Sequence, residues 1–302
     1  MNKGVYLMEL RVLRYFLAVA REESSCGAAE SLHLSQPTLS RQLMDLEAEL
    51  GKKLFLRGNR HITLTEDGAL LRKRAEEILD LVEKTTGELT AEPADLAGDI
   101  YIGAGETRGV HLLTQAARRL QEKHPRVHFH ISSGDTADVT EKLDKGLIDF
   151  GLLFDPVNTA KYSAYPLPTA DTWGILLRRE HPLAEKPSLT AEDAAGLPLI
   201  ISRRFQDASA LEDWFGRRFD TLNIVASYSL LYNASLMVED GLGAALCLDG
   251  IINTAGDGPL CFRPLHPPIC ASMSVVWKKY QVFSRAAEAF LELLRQEGGG
   301  RK

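Results

Sequence analysis

The chain has only four cysteines, Cys26, Cys247, Cys261 and Cys270, with no C-x-x-C pair and no histidine at zinc-finger spacing. This excludes a zinc module and a disulfide framework, and it fits a reducing cytoplasm. Long apolar runs are missing too. Near the start the longest is "YFLAVA", Tyr15 to Ala20, bounded by Arg14 and Arg21 and far too short to span a membrane. We therefore expect no signal peptide, transmembrane helix or membrane partner. There is no excess of positive charge, because the net charge of -6 ordinarily counts against a nucleic-acid partner. G-x-S-x-G, H-E-x-x-H and the P-loop are absent as well, so enzyme chemistry has no visible carrier and neither a cofactor nor a metal is expected.

What is present is an ordinary globular composition, 45% hydrophobic and 25% charged, over 302 residues. At roughly 100 to 200 residues per domain, that length implies two or more domains. Charge is unevenly shared: through Thr65 there are nine Lys and Arg against seven Asp and Glu, while the remainder is acidic. The first module is mildly basic.

Leu10, Leu13, Phe16 or Leu17, and Ala20 recur at helical spacing and predict a helix from about Glu9 to Arg21. Ala28, Ala29 and Leu32 mark a second, shorter helix. Ser35 is then placed to cap a third, with Gln36 and Pro37 in its first turn, where a missing N–H is harmless. Leu39, Leu43, Leu46 and Leu50 give that helix one inward stripe, and Gly51 stops it. Its outward front end is Gln36, Thr38, Ser40, Arg41 and Gln42, all able to hydrogen-bond. A helix seated by its back with polar groups at its N-terminus suits reading base edges in a major groove of double-stranded DNA. "KLFLRGNRHITLT" follows as two short strands about Gly58-Asn59, a wing whose Arg57 and Arg60 suit phosphate or minor-groove contact.

Thr65 caps a further helix, and Leu71, Ala75, Ile78, Val82, Thr85 and Leu89 form a heptad-like seam along it. About 25 residues make roughly 38 Å of helix, too long for so small a module to cover, so a second copy of the chain is the expected partner. "AEPADLAGD" ends it. Beyond Asp99, "IYIGAG", "VHFHIS", "IDFGLLF", "WGILLR", "LPLII", "NIVASYSL", "AALCL" and "SMSVVWK" alternate with helices, which predicts an open, mainly parallel α/β sheet in two lobes with a ligand cleft between them. Thr107, Ser133, Thr136 and Ser202 stand at strand ends before helices and favour a small polar, anionic effector there, with Arg203 as a candidate clamp.

"LRYFLAVA", "AAESLHLSQPTLSRQLMDLEAELGKKLF" and "ITLTEDG" resemble the N-terminal signature of LysR-type transcriptional regulators. "GDIYIGAGET", "LDKGLIDFGLL", "REHPLA" and "LMVEDGLGAAL" resemble that family's effector domain, so the resemblance covers nearly the whole chain. It implies a winged helix-turn-helix over residues 8-65, a linker and dimerisation helix over 66-91, and over 98-302 a two-lobed domain similar to type 2 periplasmic binding proteins, its lobes joined by two crossover strands. It further implies a homodimer or homotetramer on promoter DNA, with a small-molecule effector and RNA polymerase as partners. Two departures stand out: seven residues precede the family's usual start at Met8, and Ser25-Cys26 replace an apolar residue and Thr.

"GAGETRG" also mimics a dinucleotide fingerprint and supports a rival reading as a small-molecule-binding enzyme or receptor with an N-terminal docking module. Its G-x-G-x-x-x-G spacing and the lack of an acid ending the next strand favour an effector-binding loop instead. Cys261 and Cys270 could form a redox switch, but free buried cysteine is the commoner state and neither sits beside a cluster of basic residues that would favour a thiolate.

Overall fold

In the computed structural model, which describes residues 8–57, 61–90, 96–203 and 209–299, the chain divides into two units, Met1–Thr90 and Ala91–Lys302. The first unit contains α1 (Leu10–Glu22), α2 (Ser25–Ser31), α3 (Gln36–Leu50), the hairpin β1 (Phe55–Arg57) and β2 (Ile62–Leu64), and α4 (Glu66–Thr90). Each boundary has a local cause. Ser24 Oγ accepts from Gly27 N at 3.2 Å and caps α2; the departure at Ser25-Cys26 is absorbed there, because Cys26 is exposed. Ser35 Oγ accepts from Thr38 N at the head of α3, and Gly51 ends that helix at φ +64°. Thr65 bridges the hairpin to α4: its hydroxyl donates to Lys53 O and accepts from Gly68 N. Gly68 is required here, since a Cβ would stand 2.1 Å from Leu54 O.

Leu13, Phe16, Val19, Ala28, Ala29, Leu39, Leu43, Leu46, Leu54 and Phe55 form the core of this unit, the rings of Phe16 and Phe55 lying 5.1 Å apart. Leu50, expected to complete the stripe of α3, is 37% exposed. It falls beyond the last turn that α1 and the hairpin can cover. The seam of α4 needs a larger correction. Ala75 is 0% exposed and packs with Leu79, Leu71 and Ile78 inside this same core, because α1 is long enough to accept the first turns of α4. Ala75 therefore has no surface to offer a second copy, whereas Leu70, Leu81 and Leu89 are exposed.

The second unit is built on one sheet whose strands, β3 (Gly98–Ala104), β4 (Val127–Ser133), β5 (Phe150–Phe154), β6 (Tyr162–Arg178), β7 (Leu199–Ser202), β8 (Ile224–Tyr228), β9 (Ala244–Leu248), β10 (Leu260–Pro264) and β11 (Cys270–Lys278), run in the order β4-β3-β5-β11-β6-β9-β7-β8, with β10 on β6. Its helices are α5 (Val110–Lys123), α6 (Thr136–Asp144), α7 (Ala191–Ala195), α8 (Ser209–Phe215), α9 (Leu231–Glu239) and α10 (Arg285–Gly299). The expectation of a mainly parallel sheet is corrected. β3 pairs parallel with β4 and β5, and β7 with β8 and β9, but β11 is antiparallel to β5 and β6, and β6 to β9 and β10. Every one of these antiparallel pairs involves β6 or β11, the strands that cross between the lobes.

β6 makes the outward crossing. Its first half pairs with β11 through Thr172, and its second half pairs with β9 from Trp173. Ile100, Ile102, Leu113, Phe150, Val275 and Phe290 fill one core of the first lobe. In the second lobe Ile175 and Leu177 of β6 face Leu199, Leu246 and Phe215, while Leu176 between them faces Ile200, Ala245 and Val238 of α9. Alternate residues of one strand thus bury both faces of the sheet.

Candidate DNA-reading face and effector cleft

The front of α3 is open. Ser35, Gln36, Pro37, Thr38 and Arg41 are exposed, and Ser40 is half-buried. Ser35 and Thr38 hydroxyls lie 2.7 Å apart, and Gln36 Nε2 donates to Ser40 Oγ at 3.0 Å, so these side chains are held by one another on one face. Arg57 ends β1 opposite Ile62, whereas Arg60 lies outside the described residues. Glu47, which the sequence offers only as one acid among seven, ties α3 to the wing. Its carboxylate is 6% exposed and accepts from Leu54 N at 2.8 Å, Phe55 N at 3.3 Å and Lys53 Nζ at 2.8 Å. Burial opposes its charge, but the bonds from Lys53 and the two amides outweigh burial and hold its pKa below the ordinary glutamate value.

A cavity of about 410 Å³ opens in the second unit, lined by Ala104, Gly105, Glu106, Thr107, Arg108, Val110, His111, Thr114, Ile131, Ser133, Gly250 and Ile251. The lining comes from both lobes, so this is the cleft. Of the five expected effector residues it gathers Thr107 and Ser133. Thr136, Ser202 and Arg203 do not line it. Thr136 is exposed at the start of α6, and the cap there is Asp135, whose carboxylate accepts from Ala137 and Asp138 amides. Ser202 ends β7, and the N–H of Arg203 continues the ladder to Tyr228 O at 2.9 Å.

The Thr107 hydroxyl is itself engaged. It donates to Asp171 Oδ2 and accepts from Gly109 N at 3.1 Å, while Arg108 N donates to the same Asp171 oxygen at 3.3 Å. Asp171, on β6, is 1% exposed and its Oδ1 has no hydrogen-bond partner among the described residues. Burial pushes its pKa up; the Thr107 and Arg108 bonds oppose this, and the nearby Asp249 charge adds to it. No signal in the sequence marks Asp171, because its burial depends on where β6 crosses. Glu106 and Arg108 of "GAGETRG" line the cleft beside Thr107, and their charges are the signal in the sequence that marks them. Among the described residues no cluster of His, Cys, Asp or Glu is arranged to hold a metal.

The cysteine pair is kept apart by register. Cys261 is opposite Leu177 on β6 and Cys270 opposite Thr172, five residues along the same strand, or roughly 16 Å at 3.3 Å per residue. A disulfide needs Cα atoms within about 7 Å, and Cys261 is buried.

A winged helix-turn-helix in one unit and a two-lobed α/β domain with a polar cleft in the other define a ligand-responsive, DNA-binding transcriptional regulator. Residues 10–69 match the bacterial regulatory helix-turn-helix domain of the LysR family and residues 93–299 match the LysR substrate binding domain. The chain belongs to the LysR family. It is 30% identical over 279 residues to the Hca operon transcriptional activator HcaR of Escherichia coli (strain K12), covering 90% of this chain and 92% of that protein. To the transcriptional activator IlvY of Salmonella typhimurium it is 28% identical over 252 residues, 82% of this chain and 85% of the relative. The crystal structure of CbnR, a LysR family transcriptional regulator, superposes with a TM-score of 0.75 over 96% of this chain and 99% of that one; at 19% identity this is a likeness of fold.

Proposed function

We propose that the front of α3 reads promoter DNA, with Gln36, Thr38, Ser40 and Arg41 as base-edge candidates, Ser35 and Pro37 fixing the helix entry, and Arg57 and Arg60 on phosphates. The observation that carries this reading is the exposed, mutually hydrogen-bonded polar group on a helix whose Leu39, Leu43 and Leu46 are fixed in the core. CbnR has been crystallised as a full-length protein with its target DNA, and the chain resembles that structure with a TM-score of 0.73. The regulator works in the cytoplasm, where its DNA is, as a homodimer or a dimer of dimers joined through the exposed apolar positions of α4. It acts on RNA polymerase at the promoter, and a small polar effector in the cleft modulates that action. A mobility-shift assay on the promoter beside its own gene tests the DNA reading: retention at nanomolar protein, with random DNA needing a far higher concentration, is expected. Equal retention of both sequences removes it.

A further inference from the structure

Two charged side chains of the 105–109 loop reach out of the first lobe. Glu106 Oε2 accepts the N–H of Leu231, the first residue of α9, and Leu230 at the cap position supplies no side-chain bond of its own. The second-lobe helix therefore takes its cap from the opposite lobe. Arg108 lies over Gly250, where a Cβ would stand 2.2 Å from Arg108 Cδ, and its Nη1 is 3.4 Å from Asp249 Oδ2. Asp249 Oδ1 in turn accepts Thr172 N at 2.8 Å. Between these arms Asp171 holds Thr107 and the amide of Arg108. Asp171 pairs with Ala271 of β11, and Trp173, two residues on, pairs with Leu248 of β9, so the brace sits at the point where β6 passes from one lobe to the other.

We propose that the 105–109 loop is a latch that holds the two lobes together, with Glu106 and Arg108 as its two arms and Asp171 as its fixed base. A ligand in the cleft acts by releasing the latch, a step that rests on the effector reading above. Glu106, Thr107 and Arg108 line the cavity together with Gly250 and Ile251, so an entering molecule meets both arms from inside. A carboxylate on that molecule competes with Glu106 for the Leu231 amide and with Asp249 for Arg108. Each arm that is lost weakens the geometry of the other, because both spring from a five-residue loop pinned at its centre.

Amide exchange on the full-length protein without ligand or DNA tests this. In Glu106→Ala, exchange speeds up about tenfold or more at Leu231 and also across residues 249–252 and at Thr172, which Glu106 does not touch. Arg108→Ala gives the reciprocal result at the head of α9. Acceleration confined in each variant to its own contact overturns the latch. Amides of β3 and β9 report whether the lobes remain folded. Should Glu106→Ala disturb them, the nearly isosteric Glu106→Gln must show the two-armed pattern at smaller amplitude, and a one-armed pattern there overturns the proposal equally. The measurement uses no effector, so a failure of the latch is distinguishable from a failure of the effector reading.

Discussion

Glu47 joins α3 to the wing with a single carboxylate. Its removal in Glu47→Ala leaves the buried Leu54 and Phe55 N–H groups without an acceptor and costs about 1–3 kcal/mol at neutral pH. Because its folded pKa is depressed, the charge contributes stability fully above the ordinary glutamate range, and that contribution disappears as pH falls through the lower folded value. Urea unfolding should therefore show the deficit of Glu47→Gln shrinking toward zero on acidification; a deficit that is constant with pH refutes the role of its charge. Periodicity cannot reveal such a residue. Glu47 is buried because β1 folds back over α3, an event that depends on residues seven and eight positions further on. The Thr107 hydroxyl was legible as a polar group before a helix, but its engagement by Asp171, 64 residues later, was not.

At the level of elements, α3 and the wing were legible because each carries its own start or stop, Ser35 and Pro37, Gly51, Thr65, and α1 was legible from its apolar spacing alone, since no side chain caps it. In α3, Gln36→Ala, Thr38→Ala and Arg41→Ala should each lower affinity for the cognate site by about 1–3 kcal/mol and leave random-DNA binding nearly unchanged, as read by fluorescence anisotropy. Ser35→Ala behaves differently, since it also loses the helix cap and about 1 kcal/mol of stability. In α4 the seam was visible but its partner was not, because one apolar stripe can serve both α1 and a second copy. Sedimentation separates the two uses. Leu81→Asp with Leu89→Asp should shift the assembly toward monomer with the unit still folded, whereas Ala75→Asp should unfold the unit by burying an unpaired charge. Dimers of unchanged strength in the Leu81, Leu89 variant exclude the outer part of α4 as the contact. β6 was half hidden. "WGILLR" has the β pattern, but Pro166, Pro168 and Asp171 disguise the strand before it, which runs on β11 up to the crossing at Thr172.

For the molecule as a whole, transcription can respond to a ligand only if the ligand binds two arrangements of the lobes or of the assembly with different affinity, and a coupling of about 1–3 kcal/mol changes DNA affinity several-fold or more. The crossing strands also set an order in time. β6 leaves the first lobe and β11 returns to it, so the second lobe is an insertion, and the first lobe lacks β11 and α10 until the last part of the chain is made. Phe290, buried between Phe129 and Phe150, arrives more than a hundred residues after both of them. During synthesis, then, the lobe begun first is finished last. A chain stopped at Pro268 should show protease-resistant fragments from residues 173 to 264 and none from 98 to 154. On the ribosome, the half of the cleft that carries Glu106 and Arg108 waits for the other half to be ready before it can hold anything.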